Sequence, residues 1–373
     1  MQLDIRQVFL SLIRLGIGHD DIFLFSSHDN GKSYSIDWDA IYNIANEHGL
    51  LAIVLDGIEN IPASLRPSQD VMLQWIGEVL QYYEARYQDY EKSIAKLAKF
   101  YHLHDIRMMV LKGYGLSLYY PNPNHRPCGD IDTWNFGKQK EADTILTKKT
   151  GIPVDTSEHH HTVFYWEGYM VENHYDMLIT TATKINKQLE PTLKELAMDD
   201  SHFVELMDDS IDSVTKVYLP SANFNALFLL RHMLMHFVAC GINIRNILDW
   251  GFFWEKQGND VDLDWLKGIL EKYKMNTFFN IINAICVDNL GFDSYIFPIV
   301  QFNQELKEKV FKDTLSPDFD WKEAHRLSFF PRLVFKYKRW KAGAWKRELC
   351  FKESTLSSFL WSVRSHLLKP RTI

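Results

Sequence analysis

The sequence predicts an α+β protein, a small mixed β-sheet with extensive helical regions on both sides of it in sequence. Three observations predict this class. Residues 1–104 read as helix, with apolar positions at three- and four-residue intervals in the longest segment. Residues 105–182 change to short apolar runs separated by turn residues, in the order strand, helix, strand, helix, hairpin. From about residue 184 the pattern returns to helix.

The elements follow in order. Helices are expected at 3–15, 38–49 and 68–103, with a turn at Asp29-Asn30-Gly31. In the third helix Met72, Trp75, Ile76, Val79, Leu80 and Tyr83 recur at the helical period, and Ser68 is placed to cap its start. A strand at 107–111, a helix at 113–119, a strand at 130–136 and a helix at 138–149 come next. His161–Trp166 and Tyr169–Leu178, joined by Glu167-Gly168, read as a β-hairpin. Helices are then expected at 184–197, 221–240, 244–256, 261–273, 276–290 and 302–314, with an extended stretch within 201–219. This divides the chain into an N-terminal helical region (1–104), an α/β core (105–182), a C-terminal helical region (183–330) and a basic, aromatic-rich helical tail (331–373).

Composition narrows the function classes. The chain has 373 residues, 46% of them hydrophobic and 14% aromatic, ample for a sizeable core. Its longest apolar runs, such as Ala226–Leu230 and Ile281–Ile285, fall far short of the ~20 residues that span a bilayer. The start, MQLDIRQVFLSLIRLGIG, carries Asp and Arg inside its apolar stretch and reads as an amphipathic helix rather than a signal peptide. Cys128, Cys240, Cys286 and Cys350 are scattered with no CxxC pair, as in a reduced, cytoplasmic protein. Residues 331–373 hold eleven Lys/Arg against two Glu, a net of +9; with −7 overall, the rest of the chain carries −16. Trp340, Trp345, Phe351, Phe359 and Trp361 punctuate that basic tail, and so many aromatics favour docking on the acidic body of the same chain.

The stretch VLKGYGLSLYYPNPNHRPCGDIDTWNF, residues 110–136, carries the chemistry. A short strand leads into Lys112-Gly113 at the mouth of a helix, where free backbone amides favour phosphate. Arg126 then precedes Asp130-Ile131-Asp132. Alternate side chains of a strand share a face, so Asp130 and Asp132 point together while Ile131 enters the core. Mg²⁺ commonly takes one or two carboxylates together with substrate phosphates, which makes this a candidate nucleotide site.

Leu111-Lys112-Gly113, Tyr120-Pro121, Arg126 and Gly129-Asp130-Ile131-Asp132, followed by Val171-Glu172-Asn173-His174-Tyr175-Asp176-Met177-Leu178, resemble the uncharacterised nucleotidyltransferase family of the DNA polymerase β-like superfamily. The likeness covers residues 100–180 in its motifs and extends more loosely to Arg231, His236, Arg245 and Asp249. Many superfamily members carry Gly-Ser or Gly-Gly at the start of the first helix, where the serine helps hold triphosphate; Lys-Gly-Tyr-Gly here lacks that serine. The resemblance implies a nucleotidyltransferase core and transfer of a nucleoside monophosphate from an NTP, with Mg²⁺ or Mn²⁺ as cofactor. Asp130 and Asp132 would hold metal, and Glu172 would complete the set or serve as general base. Lys112, Gly113, Arg126 and His174 would bind phosphate, although Lys112 and Arg126 could each pair instead with a protein acid. Asp176 replaces Glu172 if the strand register slips by two.

The acidic body favours a small-molecule acceptor, leaving the basic tail 331–373 as the place for any nucleic-acid partner. The alternative function is a catalytically silent module that keeps the fold for binding or regulation. His159-His160-His161 is expected at a surface or hairpin edge, because successive strand side chains alternate faces and would not converge on one ion. His232 and His236, at i and i+4 on a helix, lack the glutamate of a metalloprotease motif and are expected to face the core or the acceptor side. Arg245 and Asp249 are expected to form an i, i+4 ion pair.

Overall fold

The structure is a computed structural model and describes residues 3–19, 25, 35–208, 213–298, 301–317 and 328–351. The chain begins with helices α1 (Ile5–Gly16), α2 (Trp38–His48) and α3 (Leu51–Glu59). Asp4 and Asp37 cap the first two by accepting from the backbone N–H groups of Gln7 and Ala40. The helix expected over 68–103 is present as α4 (Gln69–Val79), a π-helical stretch at Leu80–Ala85, and α5 (Arg86–His102). The π-helical stretch interrupts the regular period, so the two halves pack differently. Only Trp75 and Val79 of α4 are buried, whereas α5 buries Tyr87, Tyr90, Ile94, Leu97 and Tyr101. Ser68 stands at the N-cap position but makes no side-chain capping bond. The expected turn at Asp29-Asn30-Gly31 lies outside the described residues.

The sheet has six strands: β1 (Met109–Val110), β2 (Ile131–Trp134), β3 (His161–Trp166), β4 (Tyr169–His174), β5 (Phe203–Asp208) and β6 (Ser213–Tyr218), in the order β3-β4-β2-β1-β6-β5. β2 and β4 are parallel, as are β1 and β6; the other neighbours are antiparallel. Glu167 and Gly168 turn the β3–β4 hairpin with φ of 51° and 87°, the left-handed pair that matches strand twist. The extended stretch expected within 201–219 is a second hairpin, β5–β6, which carries the sheet outward beside β1. Alternation along the strands splits the core. Val110, Ile131, Val171, Phe164 and Val217 pack on one face with α5 and with α7 (Gln139–Thr150), while Met109, Leu111 and Trp134 join the larger cluster of the flanking helices.

A four-residue helix, α6 (Tyr114–Ser117), follows β1, and the C-terminal region holds α8 (Lys184–Leu196), α9 (Ala222–Ala239), α10 (Ile244–Gln257), α11 (Leu263–Lys272), α12 (Asn276–Leu290) and α13 (Gln304–Leu315). In the tail, α14 (Phe329–Ala342) and α15 (Ala344–Phe351) are described. The expected docking holds there. Trp345 meets Phe237 edge-on, Lys346 pairs with Asp313, and Leu349 and Cys350 are buried. Phe359 and Trp361 lie outside the described residues. No helix among the described residues is long and apolar enough to cross a membrane, and the four cysteines are free thiols.

The loop between α6 and β2 is held by a buried clamp. Arg126 Nε and Nη2 donate to the two carboxylate oxygens of Asp249 on α10, at 2.7 and 2.9 Å, and the Tyr120 hydroxyl donates to Oδ1 at 2.7 Å. Asp249 raises the Arg126 guanidinium further above its usual range against the effect of burial. On the same loop His125 Nδ1 lies 2.7 Å from Asp56. A buried ion pair broken on one side leaves the other charge uncompensated. Arg126→Ala or Asp249→Ala is therefore expected to cost about 3–5 kcal/mol in urea unfolding, and Arg126→Met/Asp249→Leu markedly less.

Candidate functional site

The parallel register of β2 and β4 sets Ile131 opposite Val171 and Asp132 opposite Glu172. Ile131 and Val171 are fully buried, so this register turns the two carboxylates together to the other face. His174 lies two residues along β4 on the Glu172 face, and the β3–β4 register sets His161 directly opposite His174. Lys112 arrives from the end of β1, held in line by the Leu111 N–H donating to the Asp132 carbonyl at 3.0 Å.

Asp132 is 1% exposed, and a carboxylate so placed needs donors. Its Oδ1 lies 3.0 Å from both Lys112 Nζ and His174 Nε2. Burial acts to raise the Asp132 carboxyl, but the charge of Lys112 and the hydrogen bond from His174 outweigh it and hold the group below the usual carboxylate range. Glu172 has no such donors at hand: His174 Nε2 is 3.8 Å away and His161 Nδ1 3.6 Å. Burial and then the negative charge of Asp132 push its carboxyl up to about 8. Burial acts to lower Lys112, yet Asp132, Asp130 and Glu172 together hold it above its ordinary value. His174 Nδ1 is 3.1 Å from the Asp176 carbonyl, and donation there turns Nε2 toward the carboxylates.

Asp132, Glu172 and His174 thus come together, with one ligand-type atom from each within 4.8 Å of the others. Asp130 stands just before β2, half-buried; its carbonyl accepts from the Tyr90 hydroxyl at 2.7 Å, and its carboxylate adds to the field on Lys112. Gly113 has φ of +58°, and a Cβ there would stand 3.1 Å from the Tyr90 hydroxyl, so backbone conformation and a close neighbour already require glycine.

Several expectations need correction. Arg126 is bound up with Asp249 rather than left to meet phosphate, and the pairing with a protein acid is the outcome observed. The same clamp removes the expected Arg245–Asp249 pair: the Arg245 guanidinium packs against Gly49, and its Nε is buried without a hydrogen-bond partner. Asp176 lies beyond β4 and pairs with Lys194, so the two-residue slip does not occur. The helix after Gly113 has only four residues, too short to supply the dipole expected at Lys112-Gly113. Two histidines of the tract, His160 and His161, do converge, with His174. His160 precedes β3, where strict alternation does not apply, and its ring meets those of His161 and His174 edge-on, with centroids 4.4 and 5.1 Å away. The tract itself was the signal for these residues, misjudged by extending the strand rule one residue too far.

The His232 and His236 rings lie with centroids 4.4 Å apart on α9, tilted by 52°. Burial, with Lys112 adding its charge, pushes His232 well below the ordinary imidazole range. The same two effects lower His236 to about 4, although it is open to solvent. Lys112 and Asp132 act on both rings, so this end of α9 lies within electrostatic reach of them.

Fold and site together define an α+β protein whose mixed sheet gathers acidic, basic and imidazole groups on one face. A model of the uncharacterised nucleotidyltransferase family matches residues 34–291, well over half of the chain, and the chain belongs to that family. The match runs from just before α2 to the end of α12, so the flanking helices lie within the family unit along with the sheet. The chain matches no curated protein and no solved structure at a significant level.

The electrostatics carry a pH signature. A carboxyl whose folded value lies above its unfolded one stabilises fully below the unfolded value and loses that contribution as pH rises through the folded value. For Glu172 the window runs from 4.5 to about 8. Metal-free protein is expected to lose stability across it, and Glu172→Gln to remove that part of the slope. Asp132 acts in the opposite sense, losing its contribution as pH falls below about 4. Urea midpoints measured from pH 2 to 9 on both proteins check this.

Proposed function

We propose that the protein is a metal-dependent nucleotidyltransferase that moves a nucleoside monophosphate from an NTP to an acceptor hydroxyl. The observation that carries this is the register setting Asp132 opposite Glu172, with Lys112 on the same carboxylate. The donor set suits a divalent ion. Two carboxylates stand side by side, Glu172 raised by burial and by the charge of Asp132, and Asp132 paired with a lysine and a histidine. Asp130, Asp132 and Glu172 would hold Mg²⁺ or Mn²⁺, which supplies charge neutralisation on the phosphates and the leaving pyrophosphate.

The chain's own groups have distinct parts in this reading. Lys112, whose Nζ lies 3.0 Å from Asp132 Oδ1, would meet phosphate oxygens as a point charge. Attack of the acceptor oxygen on the α-phosphorus forms one P–O bond while the bond to pyrophosphate breaks, and the hydroxyl proton goes to a base. In this reading Glu172 either completes the ion's carboxylates or takes that proton as general base. His174 orients the pair through its ring nitrogens. A small-molecule acceptor is favoured by the charge of −16 on residues 1–330, which repels nucleic acid.

Thermal unfolding with each NTP, with and without Mg²⁺ or Mn²⁺, tests the reading. A ligand that binds only the folded state adds about 2.7 kcal/mol at 100 times its Kd. The expected result is a metal-dependent shift with at least one NTP that is lost in Asp130→Ala/Asp132→Ala. No shift with any NTP from the folded native protein would favour a catalytically silent module instead.

A further inference from the structure

One ring nitrogen from each of His160, His161 and His174 lies within 4.8 Å of the others, and Glu172 adjoins them. His161 Nδ1 is 3.4 Å from His160 Nε2 and 3.6 Å from Glu172 Oε2, and Glu172 Oε2 is 3.8 Å from His174 Nε2. The two contacts to Glu172 are too long for hydrogen bonds. They are close to the spacing a tetrahedral ion imposes: donors at ~2.0–2.1 Å from the ion stand roughly 3.3–3.4 Å apart. Those two pairs and the His160–His161 pair would close by at most a few tenths of an ångström around an ion, and the three histidines would draw in from within 4.8 Å of one another.

Two further features point to a ligand. His160 Nδ1 is buried and has no hydrogen-bond partner. His174 has its Nδ1 against the Asp176 carbonyl, the outer-sphere contact common to metal-binding imidazoles, and its Nε2, 3.0 Å from Asp132 Oδ1, would exchange that contact for the ion. Imidazole nitrogens are poor ligands for Mg²⁺, which keeps octahedral oxygen shells, and good ones for Zn²⁺.

We propose that His160, His161, His174 and Glu172 form a site for a tetrahedrally coordinated divalent transition ion of the Zn²⁺ type, abutting the Asp130–Asp132 carboxylates. The site shares Glu172 and His174 with the nucleotide reading but does not depend on it. A carboxylate has two oxygens, so Glu172 can serve both poles. The protein would then carry a nitrogen-rich ion position beside an oxygen-rich one, each selecting its metal by donor type.

The test uses the full chain, stripped with chelator and dialysed against Zn²⁺ alone or Co²⁺ alone. Expected are one Zn²⁺ per chain and an intense visible Co²⁺ spectrum typical of a tetrahedral field. His160→Ala and His161→Ala should each weaken binding at least about tenfold, the loss that even an outer-sphere partner causes. Binding that is not stoichiometric, a pale octahedral Co²⁺ spectrum, or unchanged affinity in either folded variant would overturn the proposal. Should His161→Ala fail to fold, the half-buried His160 ahead of β3 decides the question through His160→Ala, with circular dichroism confirming its fold. Failure of Zn²⁺ binding with the NTP shift intact would remove this inference alone, and the reverse result would remove only the nucleotide reading.

Discussion

The structure depends on placing one carboxylate, that of Asp132, inside a sheet with almost no solvent access. Such a group is tolerated only where the surroundings supply positive charge and donors. Lys112 and His174 supply both from opposite sides, one from the end of β1 and one from β4. The strand register is bound to this solution. A slip of one residue would turn Asp132 and Glu172 into the apolar cluster of α5 and α7 and bring Ile131 and Val171 out. The sheet is thus specified by charge on one face and by hydrophobic packing on the other.

The helices hold that arrangement in place. Asp249 on α10 grips Arg126, and Asp56 on α3 meets His125, so the loop leading to Asp130 is tied to helices on both sides of the sheet in sequence. His232 and His236 on α9 lie within electrostatic reach of Lys112 and Asp132. The family match over residues 34–291 agrees with this interdependence, since it takes in these helices as well as the strands. The register of β2 and β4 sets the Asp132 and Glu172 carboxylates side by side on one face, where burial and the charge of Asp132 raise Glu172.

Much of this was legible in the residues. The helical periods, the β3–β4 hairpin with its Glu167-Gly168 turn, and the Asp-Ile-Asp and Glu-Asn-His patterns place the strands and their acidic face. What was illegible has physical causes. α3 buries Leu51, Ala52, Ile53, Val54 and Leu55 in succession, and a helix buried all round shows no amphipathic period. It packs against α1 through Gly16 and Gly57, where an added Cβ would stand 2.0 Å from a backbone oxygen of the partner helix. The Arg126–Asp249 pair spans 123 residues, so the nearer i, i+4 partner Arg245 looked the better match. His160 joins the site because it leaves the strand just where alternation ceases to apply, which only backbone coordinates reveal.

Transfer of label distinguishes the central claim from its rivals most directly. The protein would be incubated with Mn²⁺, a small-molecule extract as acceptor source, and an NTP labelled at either the α- or the γ-phosphate. The expected result is that α-label passes to a new product while γ-label leaves as pyrophosphate, with neither change in Asp132→Ala. Passage of γ-label to the product, with α-label retained in nucleoside diphosphate, would contradict nucleotidyl transfer at this site. So would the absence of any transfer by protein shown to bind the NTP.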